Sequence, residues 1–274
     1  MGLAAVPGAV WVSAHHGASI ARIDPSSNTV VAHVPVGKLP GDMVFGDGTL
    51  FEEDFSGPEI RLVAPLGNSV ESVIRAPDNN GCCRPVYGAG SLWLLGATTS
   101  SGVPDLLVRM DAAGRVLLSM PLASPGGLVF GSGSVWGSSD GKVFRLDPAT
   151  NQITARIATT AVPLAYGAGS VWGITLDATS LVRIDATTNT VAATIHMPQL
   201  AAGVTATDTA VWVTQGPPGA PGAELWKIDP ATNKVVGHVT LGGSSEIDDQ
   251  TVSDDGSVWV SLFSANFVLR VRPS

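Results

Sequence analysis

Three acids stand in a row at Glu52, Glu53 and Asp54, inside the stretch GDGTLFEEDFSG (46–57). Carboxylates this close can hold a divalent cation, or move a proton if burial raises one of them toward neutrality. His15 and His16 could supply neutral imidazole for the same work, as metal ligands or as a general base near pH 7. The run SSEIDDQ (244–250) offers Glu246, Asp248, Asp249 and Gln250 as hard oxygen donors, though without EF-hand or RTX spacing. The run PDNNGCCRP (77–85) holds Asn79, the vicinal pair Cys82-Cys83 and Arg84. Adjacent Cα atoms lie ~3.8 Å apart, below the usual disulfide range, so a bridge there would be strained. The same thiols could bind a soft metal with a histidine or pack as small hydrophobes. Arg84 could clamp a substrate carboxylate or neutralise Glu52 and Glu53.

These residues define the candidates. His15, His16, Glu52 and Glu53 are the catalytic candidates. Glu52, Glu53, Glu246, Asp248 and Asp249 are the metal-ligand candidates, for Mg²⁺, Ca²⁺ or Zn²⁺. Arg84, Asp42, Asn79, Cys82, Cys83 and Gln250 are the substrate-binding candidates. No P-loop, Rossmann glycine motif or Ser-His-Asp signature accompanies them, so no organic cofactor is expected.

The elements that must position these groups follow from an internal repeat. A small-Gly turn followed by an aromatic strand recurs seven times, with the aromatic at Trp11, Phe51, Trp93, Trp136, Trp172, Trp212 and Trp259. The period of about 40 residues is that of four-stranded propeller blades. Each unit continues with a third segment such as SIARIDP, KVFRLDP or ELWKIDP and a fourth such as TVVAHVPVG or KVVGHVTLG. These runs are short, rich in β-branched residues and bounded by turn signals. The turns between third and fourth segments read Asp-Pro-Ala-Thr-Asn at 147–151 and 229–233. Pro presets φ, Asp bonds local backbone and Asn tolerates the left-handed region, so these acids are structural. The expectation is an all-β chain: one seven-bladed propeller over 1–274, whose last blade lacks its outer strand. The aromatics of the second strands are core.

In such a ring one face carries the turns within strand pairs one–two and three–four. The other face carries the inter-blade links and the two–three turns, and every candidate lies on that second face. Ring closure puts blade seven beside blade one, so the acids near 248 share a sector with blades one to three. Glu52 aligns with Val12, Leu94, Val213 and Val260, and Glu53 with Ser13, Ser138, Thr214 and Ser261. These are strand positions between packed blades, where a carboxylate is costly unless paired. Arg61 or Arg84 could supply the partner. Asp54 is expected as a solvated turn residue.

With 45% hydrophobic and 14% charged residues, the chain can bury a large core. Its net charge of −8 repels phosphate backbones and anionic bilayers, so neither nucleic-acid binding nor membrane insertion is expected. The start MGLAAVPGAVWVS lacks a basic n-region, and Val6 breaks the myristoylation pattern. A secreted monomer whose leader is absent from this sequence is expected, with a cytoplasmic location left open.

The phrase GAGSVWG, followed by LVRIDATTNTVAATI, resembles the YVTN-type repeat of bacterial seven-bladed propellers. That group includes surface-layer-associated and YncE-like proteins, and the streptogramin B (virginiamycin B) lyases share the architecture. The resemblance implies a divalent ion steadying a substrate carbonyl while a histidine takes a proton α to it. His15 or His16 would be that base, with Glu52, Glu53 and the Asp248–Asp249 group near the metal and Arg84 orienting the substrate. Blades four to six hold no match to the lyases' own histidines. The sequence therefore leaves two readings, a small-molecule-binding propeller of lyase-like chemistry and a non-catalytic recognition or scaffold module.

Overall fold

The computed structural model describes residues 1–14, 17–77, 84–96, 105–162, 164–216, 222–241, 247–262 and 267–272, with the side chain of Asp248 left aside. Among the described residues there is no helix. Six four-stranded antiparallel sheets and one three-stranded sheet follow one another in chain order. The first sheet sets the pattern with β1 (Leu3–Val6), β2 (Ala9–Ser13), β3 (Ser19–Asp24) and β4 (Thr29–Pro35). The last holds β25 (Ile247–Val252), β26 (Val258–Leu262) and β27 (Phe267–Val271). Its innermost strand packs on β1, which closes the ring. The expected seven-bladed propeller, three-stranded in its last blade, is the observed architecture.

The seven aromatics of the second strands are buried, Trp212 the most exposed at 6%. They sit between adjacent sheets in a chain of apolar clusters that runs around the ring. Each pairs across the inner strand with a small residue: Ala4, Val44, Val86, Val129, Ala165, Thr205 and Thr251. These seven line the axial channel. Small side chains are required there, because seven strands converge on one axis.

The outer side of each aromatic carries a second device. Arg109, Arg145, Arg183 and Arg270 pair in register with Trp93, Trp136, Trp172 and Trp259. Each lays its guanidinium 4.9–5.1 Å from the indole centroid. Its Nε donates to a serine two residues before the Trp: Ser91, Ser134, Ser170 or Ser257. Its Nη1 then crosses to the next blade's third turn. Arg145, for example, donates to Ala186 O at 2.8 Å and Asn189 Oδ1 at 3.1 Å. Arg109 reaches Pro148 and Asn151, Arg183 reaches Pro230 and Asn233, and Arg270 reaches Pro25 and Asn28 across the closing seam. The receiving asparagines hold φ of 55–57°, the left-handed conformation that asparagine tolerates best among side-chain-bearing residues. The turn aspartates accept backbone amides two residues on, as at Asp147 and Asp229, so their role is structural.

Blades one, two and six depart from this pattern. Arg22 has Ala9 where the serine would be and, among the described residues, donates to Asn68 at 3.3 Å. Blade two pairs Phe51 with Leu62, so among the described residues no guanidinium crosses from this position to blade three; Phe51 stacks on Tyr87 at 5.3 Å instead. Blade six offers Lys227 over Trp212. Lys227 has no hydrogen-bond acceptor in blade seven among the described residues.

Candidate ligand site at the channel mouth

Side chains two apart on a strand share a face. Two residues before the small ring, toward the link-bearing face, stand Gly2, Asp42, Arg84, Gly127, Gly203 and Asp249. This second layer sets three charged residues among three glycines. It opens a cavity of about 380 Å³ lined by Asp42, Phe55, Arg84, Gly203, Thr214, Ile247, Asp249 and Gln250, among others. Arg84, Val204 and Gln250 also line the axial channel, of about 330 Å³, so the two spaces adjoin at those residues. Both volumes fall within the range of small-molecule sites.

Asp249, only 6% exposed, is held from three sides. Its carboxylate accepts the Leu3 amide at 2.6 Å and the Gln250 amide at 2.5 Å, and it forms an ion pair with Arg84. Leu3 belongs to blade one, so this carboxylate also ties the closing seam. Arg84 lines the cavity and its side chain is 44% exposed. The surrounding blades lower its pKa from the ordinary value by desolvation, while the Asp42 carboxylate opposes them. An arginine stays charged under such a pull.

Gln250 is 4% exposed. Its Nε2 donates to Trp212 O at 3.1 Å, which fixes the amide orientation because only the nitrogen can donate. Its Oε1 has no hydrogen-bond partner among the described residues. A Cβ at Gly203 would lie 2.9 Å from Thr214 Oγ1 and 3.5 Å from Gln250 Cδ, so glycine keeps this wall of the cavity open.

The blade-two acids have a different fate. Glu52 is fully buried, pairs in register with Arg61, and lies 3.4 Å from its Nη1. Its Oε1 accepts the Gly41 amide at 3.3 Å. Burial raises its carboxyl from 4.5 to about 7, against the pull of Arg61 and Gly41. Glu53 is also buried, at 1% exposure, and neither acid lines the mouth. Asp54 is not the solvated turn residue expected from sequence: it is 4% exposed. The link folds back over it, so that Lys38 and Leu39 donate their amides at 3.1 and 3.3 Å. Ser56 donates its hydroxyl at 2.6 Å, and Arg61 stands 3.2 Å away. Burial pushes the Asp54 carboxyl up, but these donors together hold it below its ordinary value.

The structure thus brings Asp42, Arg84, Asp249 and Gln250 together and sets Glu52 and Glu53 behind them. His15, His16, Asn79, Cys82, Cys83 and Glu246 lie outside the described residues, as does the side chain of Asp248. Among the described residues no three His, Cys, Asp or Glu side chains converge on a metal position. Sequence reasoning overlooked Phe55, Gly203, Thr214 and Ile247. Aligning AAGVTA (201–206) with the other inner strands would have put Gly203 level with Asp42 and Asp249.

The fold has parallels among solved propellers. The virginiamycin B lyase of Staphylococcus aureus, solved as an inactive variant with quinupristin, superposes with a TM-score of 0.77 at 14% identity. The match covers 95% of this chain and 90% of that one. The Pan2 WD40 domain of Neurospora crassa gives 0.75 at 13% identity, over 100% and 89%. BamB of Moraxella catarrhalis gives 0.65 at 12%, over 98% and 81%. Identities this low establish the shared fold and nothing finer. No family model matches the chain, and no curated protein matches it in sequence.

Proposed function

We propose that this protein is a small-molecule-binding propeller whose ligand sits at the channel mouth against Asp42, Arg84, Asp249 and Gln250. The Gln250 carboxamide carries this reading. Leaving a buried acceptor without a donor costs about 1–3 kcal/mol, and the atom belongs to a residue lining a cavity of ligand size. That oxygen has almost no accessible surface in this state, so a ligand donor reaches it by a small shift of the cavity wall and then recovers the energy. The adjacent guanidinium, partly open and already oriented by Asp249, suits a second polar contact.

The lyase-like version of this reading adds a metal and a histidine base, as the structural similarity to virginiamycin B lyase suggests. Its base would be His15 or His16. Its metal would depend on Glu246 and Asp248, because Glu52 is neutralised by Arg61 and Asp249 is engaged by Leu3, Gln250 and Arg84. A location outside the cytoplasm belongs to the same proposal.

Crystals soaked with a library of polar fragments test the binding site. Fragments should occupy the mouth within hydrogen-bond reach of Gln250 Oε1, and a Gln250→Met variant should lose them. A mouth that stays empty, or fragments indifferent to Gln250→Met, would sink the reading.

A further inference from the structure

We infer that the ligand of this mouth is a neutral sugar, its hydroxyls bonded to Gln250 and to the inner-strand backbone and one face of its ring against Phe55. The inference rests on the proposed binding site and names the chemical class that site takes. Charge is already balanced there. Asp249 is paired with Arg84, and Asp42 acts on both the Arg84 guanidinium and the Met1 amine. Two carboxylates are thus met by two basic groups. A cationic ligand would approach the guanidinium, and an anionic one would approach both carboxylates. Like charges at close range oppose binding, so the mouth favours a ligand without charge.

The polar groups offered to that ligand are of mixed kind. Gln250 Oε1 is a buried acceptor without a donor among the described residues, and Arg84 is a donor. Each inner strand pairs with a single neighbour, so its other backbone edge is turned toward the axis. Leu3, Ala4 and Ala5 all border the channel, as do Met43, Val44 and Phe45. Successive side chains point to opposite faces, so what such a run presents to the channel is its backbone edge. The Leu3 amide, which donates to Asp249, is one group of that edge already in use. The channel accordingly exposes more polar than apolar surface. A hydroxyl donates and accepts at once and turns to suit its partner, so a polyhydroxylated ligand satisfies donors and acceptors set side by side. One wall differs. Phe55 lines the mouth half-buried, and a Cβ at Gly41 would fall 2.4 Å from its Cε1. The glycine therefore gives the ring its seat. The carbon-bound hydrogens of a sugar ring form an apolar face that packs on such an aromatic. Cavities of about 380 and 330 Å³ that adjoin suit a mono- or disaccharide.

Ligand-observed NMR titrations at pH 7 with glucose, galactose, maltose and lactose provide the test, run beside glucosamine, galactosamine, glucuronate and galacturonate. At least one neutral sugar should bind, about tenfold or more tighter than the amine and the uronate of the same series. Gln250→Met should weaken that sugar about tenfold by removing the acceptor. Phe55→Leu, which leaves every polar group of the mouth in place, should weaken it about fivefold. Charged sugars that bind as tightly as neutral ones, or a neutral sugar indifferent to both variants, would overturn the inference. If no sugar binds while polar fragments occupy the mouth in soaked crystals, this ligand class is wrong and the binding site stands. If neither binds, the site itself falls.

Discussion

Arg61 reaches across one strand pair to place Nη1 3.4 Å from Glu52 Oε2, where the glutamate has no exposed surface. The same guanidinium lies 3.2 Å from Asp54 and 2.9 Å from Glu59. One cation thus serves two buried acids and the half-exposed Glu59, which Arg75 also approaches at 3.8 Å. Removing one partner of a buried ion pair strands the other, at a typical cost of about 3–5 kcal/mol. Arg61→Met should lower unfolding stability in urea by that amount. The double variant Arg61→Met, Glu52→Met should recover a large part of it, since a buried pair replaced by apolar groups is often neutral. A single variant as stable as the parent would show that the cluster is solvated.

Glu52 gives the protein a pH dependence of definite sign. Its folded pKa of about 7 stands above the ordinary 4.5, so the folded state favours the protonated form. The stabilising contribution is complete below pH 4.5 and is lost as pH rises toward 7. At 1.36 kcal/mol per pH unit the loss approaches about 3 kcal/mol. Glu52→Gln should therefore flatten the stability profile between pH 4.5 and 7 and be more stable than the parent at pH 8. Chemical denaturation at four pH values would check this; parallel profiles for the two proteins would refute it.

The guanidinium bridges between blades should differ in strength with their acceptors. Arg145→Ala removes bonds to Ser134, Ala186 and Asn189 as well as the stacking on Trp136. Hydrogen bonds from a charged donor contribute about 1.5–3 kcal/mol each at most, and the exposed ends contribute less, so a net loss of about 2–3 kcal/mol is expected. Lys227→Ala, which removes only a contact over Trp212, should cost about 1 kcal/mol or less. Equal losses in guanidinium melts would argue that the cation–π contact dominates in both.

Asn189 separates backbone strain from bonding. Its φ is 57°, and it accepts from Arg145. Asn189→Gly keeps the left-handed turn and loses the acceptor, while Asn189→Ala loses both. The alanine variant should be about 1 kcal/mol less stable than the glycine variant, measured by thermal unfolding.

The fold was legible because each blade repeats a buried aromatic at one register position, and seven such marks at one period admit few architectures. The mouth was half legible. Asp42, Arg84, Asp249 and Gln250 stood out as polar residues in links that vary while the turns stay constant. Thr214 and Gly203 did not, because hydroxyls and glycines are scattered throughout the chain and their placement depends on strand register. Asp54 was misjudged for a related reason: its burial comes from Lys38 and Leu39, sixteen and fifteen residues upstream, which no local pattern announces. The serine–arginine bridge was visible in retrospect. Ser91, Ser134, Ser170 and Ser257 occur in the blades that carry Arg109, Arg145, Arg183 and Arg270, while Ala9, Thr49 and Ala210 precede the aromatics of the three departing blades.

Those departures divide the molecule mechanically. Among the described residues no third-strand guanidinium spans the seam from blade two to blade three or the seam from blade six to blade seven, so the disc consists of two arcs stapled in this way, meeting along two joints that lack the bridge. Arg84 lies at the first joint, and Gly203, Thr214, Asp249 and Gln250 lie at the second. A line drawn between the joints runs across the aperture. The ties across that diameter are made at the aperture instead: Gln250 Nε2 holds Trp212 O between blades six and seven, and Arg84 pairs with Asp249 between the two arcs, so the rim fastens what the staples leave open.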